Sequence, residues 1–221
     1  MKKIILTVAA AMLTGVLLSF VLSGVQRFIS EKNNTVQSDE SIALQTGCIV
    51  KSLFAYSDEN NGFDNVAAIK LENNSDVDYR CIEIKVETDN GEYLFLASVL
   101  PAHKNITVLE ENGAVLEENP EFRTAEIAAF EVFEETPSLM EDKFSVEIKD
   151  GSVEIKNISG EDINKNINIY IKATDDFGYF GGMTYKLSVG TLKADETKTI
   201  DIDMPVGENP QAVFIAFDNE S

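Results

Sequence analysis

A single imidazole limits the acid–base chemistry open to this chain. His103, the only histidine among 221 residues, lies in Leu100-Pro101-Ala102-His103-Lys104, a turn composition. A Ser-His-Asp or Cys-His arrangement would have to be assembled around that one loop. The sequence holds no Gly-x-Ser-x-Gly, no His-Glu-x-x-His, no phosphate-cradling glycine loop and no dinucleotide fingerprint. Its 38 acids leave a carboxylate-pair hydrolase as the third-ranked reading. The expectation is a non-enzyme with no catalytic residue, cofactor or metal site.

The other chemically capable groups are few. Asp58-Glu59-Asn60-Asn61-Gly62-Phe63-Asp64 sets oxygen ligands close together. Its glycine comes one place early for an EF-hand loop, and no bidentate glutamate stands at the twelfth position. It reads as a polar loop, with calcium kept as a partner it permits. Cys48 and Cys81 are the sole cysteines, and a disulfide between them is allowed outside the membrane. Cys81 has the parity of Glu83 and Lys85, so such a bond would have to run between neighbouring strands of one sheet. Three aromatics crowd the tip Phe177-Gly178-Tyr179-Phe180-Gly181-Gly182, and Tyr93 and Phe95 stand at the corresponding place upstream. These five are the candidate partner contacts. The competing reading folds the rings of the downstream tip back over a small core.

These side chains are carried by a pattern that occurs twice. Asn73-Asn74-Ser75 answers to Asn157-Ile158-Ser159, Leu100-Pro101-Ala102 to Leu192-Lys193-Ala194, Thr107-Val108 to Thr199-Ile200, and Phe130-x-x-Phe133 to Phe214-x-x-Phe217. The offset drifts between 84 and 92 residues, as loop-length differences produce. On this alignment Asp195 takes the place of His103. Ile82, Ile84 and Val86 alternate with Glu83, Lys85 and Glu87. Ile167, Ile169 and Ile171 alternate with Asn168, Tyr170 and Lys172. A period of two gives strands with one apolar and one wet face. Thr88-Asp89-Asn90-Gly91 and Thr174-Asp175-Asp176-Phe177-Gly178 are turn chemistry. Residues 125–135 have helical propensity, but their partner 211–217 reads as strand, and the first copy follows it. Six or seven strands per copy predict immunoglobulin-like β-sandwiches.

Residues 4–25 contain no charge, and as a helix they would reach roughly 33 Å, enough to cross a bilayer. Lys2 and Lys3 precede them, which predicts a cytoplasmic N-terminus and everything downstream outside. Val21 and Ser23 can also serve a signal peptidase, which would leave a secreted protein. Residues 31–45 read as a polar stalk. The expected layout is all-β, two tandem sandwiches at 46–135 and 143–221 joined by a linker at 136–142, behind a transmembrane helix within 1–30. Formal charge is −20 over the chain and −23 over residues 31–221, since Lys2, Lys3 and Arg27 face no acid before residue 31. That field disfavours nucleic acid and anionic polymers and favours cationic partners.

The run Val153-Glu154-Ile155-Lys156-Asn157-Ile158-Ser159-Gly160, then 167–172, Gly181-Gly182-Met183-Thr184-Tyr185 and Leu192-Lys193-Ala194-Asp195-Glu196-Thr197, resembles the FxLYD-type and related immunoglobulin-like modules of exported Gram-positive proteins. The likeness covers about 152–205 well and 66–110 loosely, and the FxLYD tetrad itself is absent. It implies an exported, non-enzymatic module and carries over no catalytic residue. The expected role is a membrane-anchored, extracytoplasmic binding or structural module of a bacterial cell surface that holds a protein or envelope partner. The alternative is an accessory subunit of an export or envelope-assembly complex.

Overall fold

The computed structural model describes residues 28–29, 36–37, 42–44, 46–117, 120–204 and 209–218. All their regular structure is β-strand. The apolar run 4–25 lies outside the described residues, among which no helix is long and apolar enough to cross a membrane.

Three short strands come first, β1 (Phe28–Ile29), β2 (Val36–Gln37) and β3 (Ile42–Ala43). Six follow in the first half: β4 (Cys48–Asp58), β5 (Phe63–Asn73), β6 (Tyr79–Thr88), β7 (Glu92–Leu100), β8 (Asn105–Leu109) and β9 (Phe122–Val132). Six more make the second: β10 (Phe144–Lys149), β11 (Ser152–Asn157), β12 (Ile163–Thr174), β13 (Tyr179–Leu192), β14 (Thr197–Asp201) and β15 (Gln211–Phe217). Strand order repeats element for element. In the first half β9-β6-β7 lies in one sheet and β8-β5-β4 in another; in the second the counterparts are β15-β12-β13 and β14-β11-β10.

Alternation sets the two cores. Ile82, Ile84 and Val86 are fully buried with Ile69, Leu71 and Phe95, while Ile167, Ile169 and Ile171 close on Phe144, Val153 and Ile155. Residues 125–132 are strand, paired to β6, because a helix there would leave β6 with an open inner edge.

Two expectations need correction. Ile42 and Leu44 are 1% and 5% exposed within the first core, and β3 pairs with β4. The first core therefore begins inside the segment read as stalk. β1 likewise adds to β9. The second correction concerns β12, whose polar face is not wet. Asn168 is 2% exposed and Lys172 is 0%. The sheet carrying β12 does not end with the second half. It continues through β13 into β8, then β5, β4, β3 and β2 as one eight-stranded sheet.

Each half is pinned by a buried asparagine. Asn73 Nδ2 donates to Val77 O at 2.9 Å, Pro101 O at 3.0 Å and Leu100 O at 3.4 Å, while its Oδ1 accepts from Ser75 N and Ser75 Oγ at 3.1 and 2.7 Å. Asn157 Nδ2 donates to Glu161 O, Lys193 O and Leu192 O at 2.7, 3.0 and 3.3 Å, and its Oδ1 accepts from Ser159 N and Ser159 Oγ at 3.0 and 2.7 Å. Both side chains are 0% exposed, where an unpaired amide would be costly. The turns they hold match in backbone as well. His103 and Asp195 both take left-handed φ, 57° and 60°. Ala102 N and Ala194 N each donate to an aspartate, Asp78 and Asp162, at 2.9 Å.

Candidate functional site at the seam between the halves

β7 and β8 are the facing sheet edges of the first half, and an exposed pair of edges invites a further strand. The start of β13 takes that place. Tyr179 and Phe180 pair in parallel with Ile106 and Thr107 of β8. Ser98 Oγ on β7 lies 3.0 Å from both Gly182 O and Thr184 Oγ1, and Thr184 Oγ1 donates to Ser98 O at 3.0 Å. Thr107 Oγ1 donates to Asp175 Oδ2 at 2.6 Å. The second half also lends Tyr179 to the first core, with Val213 packed against it.

The approach depends on a break in the β12–β13 ladder. Register jumps from Ile171↔Tyr185 to Ala173↔Phe180, so Lys172 alone stands opposite residues 181–184. Gly181 and Gly182 form this bulge with φ of 83° and 79°. Breaking a ladder strands carbonyls, and Lys172 Nζ reaches two of them, Met183 O at 3.0 Å and Gly182 O at 3.3 Å, from a position 5.7 Å from the centre of the Tyr179 ring.

Burial lowers the Lys172 pKa to about 7, against roughly 10.4 for a free lysine. A neutral amine still has hydrogens for both carbonyls. Between those two values the unfolded chain holds a proton that the folded one lacks, so this group makes stability rise with pH across that window. Below about pH 7 both states are protonated and the contribution is flat. From pH 7 to 9 the wild type is therefore expected to gain about 2 kcal/mol relative to Lys172→Met. Urea unfolding at each pH checks it, and parallel curves would remove the assignment.

On the outer face of the continuous sheet, the seam gathers rings from both halves. Tyr56 stands 5.2 Å from Phe180 and 5.9 Å from Phe63, centre to centre. Lys70 Nζ lies 5.1 Å from the Phe177 ring and 6.0 Å from that of Phe54. Phe54, Tyr56, Phe63 and Phe177 are half-buried, and Phe180 is buried at 6%. None of the five belongs to either core. Burial, then the carboxylates of Asp58 and Asp175, push the Tyr56 phenol up, which places negative charge beside the rings.

Of the five aromatics expected to meet a partner, only Phe177 and Phe180 reach this face. Tyr179, Tyr93 and Phe95 are 5%, 6% and 0% exposed and sit in the first core, so their rings are not presented to solvent. The rings of the downstream tip do fold back, but onto the first half rather than over the core of the second. His103 is an exposed turn residue, its Nε2 2.9 Å from Asp76 Oδ1. With Asn105, Asp175 and Gln211 it borders a shallow cleft of about 340 Å³. The two cysteines are not joined. Cys48 points into the core from β4 and Cys81 stands on the outer side of β6 in the opposite sheet, so no bond along one sheet is available to them. In the loop read as permitting calcium, Asp58 accepts from Asn60 N, Asn61 N and Asn61 Nδ2. Asp175 accepts from Phe177 N, Gly178 N and Thr107 Oγ1. These oxygens are engaged in building turns and, for Asp175 Oδ2, in the seam, and among the described residues no three acidic, cysteine or histidine side chains converge as metal ligands.

Phe54, Tyr56, Phe63 and Lys70 were missed by sequence reasoning. Counting by twos from the buried Val50 puts Phe54 and Tyr56 in the core. A bulge between Val50 and Ser52 reverses that parity, so Leu53 packs inward and the rings turn out. No protein-family model matches the chain, and no curated protein matches it.

Proposed function

We propose that this chain is a non-enzymatic binding module of a bacterial cell surface, held by a transmembrane helix at 4–25 with its β-structure outside. Its two halves, 46–135 and 143–221, are read as tandem immunoglobulin-like sandwiches. The partner, a protein or an envelope component, seats on the aromatic face that spans them. The observation that carries this reading is the set of four half-exposed rings outside both cores, Phe54, Tyr56, Phe63 and Phe177, with Phe180 buried beside Tyr56. Ring surface left half-exposed on a solvent-facing sheet adds nothing to either core, whereas such patches mark partner sites. The uncharged run at the N-terminus supports the anchor, and the resemblance to exported modules supports the location.

The test is crosslinking capture from intact cells with the full anchored chain. Tyr56→Ala/Phe177→Ala is expected to lose at least ten-fold in partner capture while its melting temperature stays within a few degrees of wild type. Undiminished capture by a folded double variant would overturn the assignment of the face.

A further inference from the structure

The chemistry around the rings narrows the occupant. Two hairpin tips flank the face, one from each half. The β4–β5 tip carries Asp58, Glu59 and Asp64, and the β12–β13 tip carries Asp175 and Asp176. Tyr56 feels both tips, through Asp58 and Asp175. Lys70 is the cation between them, and its ammonium already lies over two of the rings. The face thus shows in its own structure the pairing it favours, a cation on an aromatic surface. Lys104 borders the cleft beside Asp175 and Phe177, and five carboxylates against these two ammoniums still leave the same face in want of positive charge, within a chain of −20 overall.

Resting on the binding role proposed above, we propose that the occupant is a basic polypeptide segment, whose arginine or lysine side chains lie on Phe54, Tyr56 and Phe177 between the two acidic tips. Arginine suits the site better than lysine, because its planar guanidinium stacks on a ring while its N–H groups reach carboxylates at the rim. Anionic polymers and nucleic acid are repelled by the same charges.

The experiment uses the full chain in nanodiscs of phosphatidylcholine, a zwitterionic lipid, at about 150 mM salt, where charges further apart than roughly 8 Å are screened. The probes are fluorescent decapeptides of alternating arginine and glycine, or glutamate and glycine, read by anisotropy. The arginine peptide is expected to bind and the glutamate peptide not to. Tyr56→Ala/Phe177→Ala and the rim reversal Glu59→Lys/Asp176→Lys should each weaken binding at least ten-fold. Glu154→Lys/Asp201→Lys, the same change of charge placed on the β10-β11-β14 sheet, should stay within three-fold. Equal losses from the two reversals would mean bulk attraction and would sink the proposal, as would no binding of the arginine peptide at all. Failure here is separable from failure of the binding role. If the arginine peptide does not bind while cellular capture still depends on Tyr56 and Phe177, the face stands and only the basic occupant falls. If capture ignores those rings, the face itself falls.

Discussion

Asn157→Ala is expected to destabilise the protein by about 3–5 kcal/mol, because it strips partners from three carbonyls and the Ser159 amide at one buried point. At this chain length that corresponds to a melting temperature lower by roughly 10 °C. Asn73→Ala should do the same in the first half, since five of its six bonds are the same bonds, the sixth being accepted from Cys48 Sγ at 3.8 Å. Asn157→Asp separates hydrogen bonding from packing. It keeps the volume but turns a carboxylate oxygen toward three carbonyl oxygens, so at pH 7 it should be at least as damaging as alanine. Protonation restores a donor, which raises the folded-state pKa of that new carboxyl, so the variant's deficit should shrink as the pH falls. Calorimetry across pH checks both points. Alanine variants that lose less than about 1 kcal/mol would show that ordered water replaces the amide and that the asparagines are not the pins of the fold.

Those asparagines could be found in the sequence because they sit where the pattern is most regular. Each ends an alternating strand, each is followed two places on by serine, and the paired turns at Leu100 and Leu192 keep their composition. Local chemistry decides such positions, so local reading finds them. Strand type was legible for the same reason, even at 125–132, where helical propensity was outvoted by the partner strand. What was not legible lay where parity breaks or a polar face is covered. One extra residue after Val50 reversed the direction of Phe54 and Tyr56. The polar side of β12 looked solvent-facing because its residues are polar, yet Lys172 is enclosed by a bulge that the first half covers. Contacts between the halves depend on which edges are left open once each is folded. That is settled by three-dimensional closure rather than by any run of residues, and the aromatic face is its product.

Gly182→Ala should therefore act on the seam more than on either half. A Cβ at Gly182 would stand 2.4 Å from Leu96 O and 3.1 Å from Val108 Cγ1, on a backbone with φ of +79°. Gly181 is the internal control. Its φ is +83°, but nothing lies within 4 Å of its Cβ position, so Gly181→Ala bears the left-handed penalty of roughly 1–2 kcal/mol alone. Gly182→Ala adds a collision with backbone that no rotamer can relieve, for a total of about 3 kcal/mol or more. The nearest escape is for β13 to draw away from β7 and β8, giving up the Ser98–Thr184 bonds and the parallel pairing to Ile106 and Thr107. Hydrogen exchange should then rise along the start of β13 and at the Ser98 and Thr184 contacts, while the Asn73 and Asn157 turns remain protected. Moving β13 also carries Phe177 and Phe180 away from Tyr56 and Lys70. If the partner needs rings from both halves at once, Gly182→Ala should lose capture as fully as Tyr56→Ala/Phe177→Ala does, with every ring still present, and Gly181→Ala should keep it. A Gly182→Ala protein that is loosened at the seam but captures normally would mean that the partner reads one half alone.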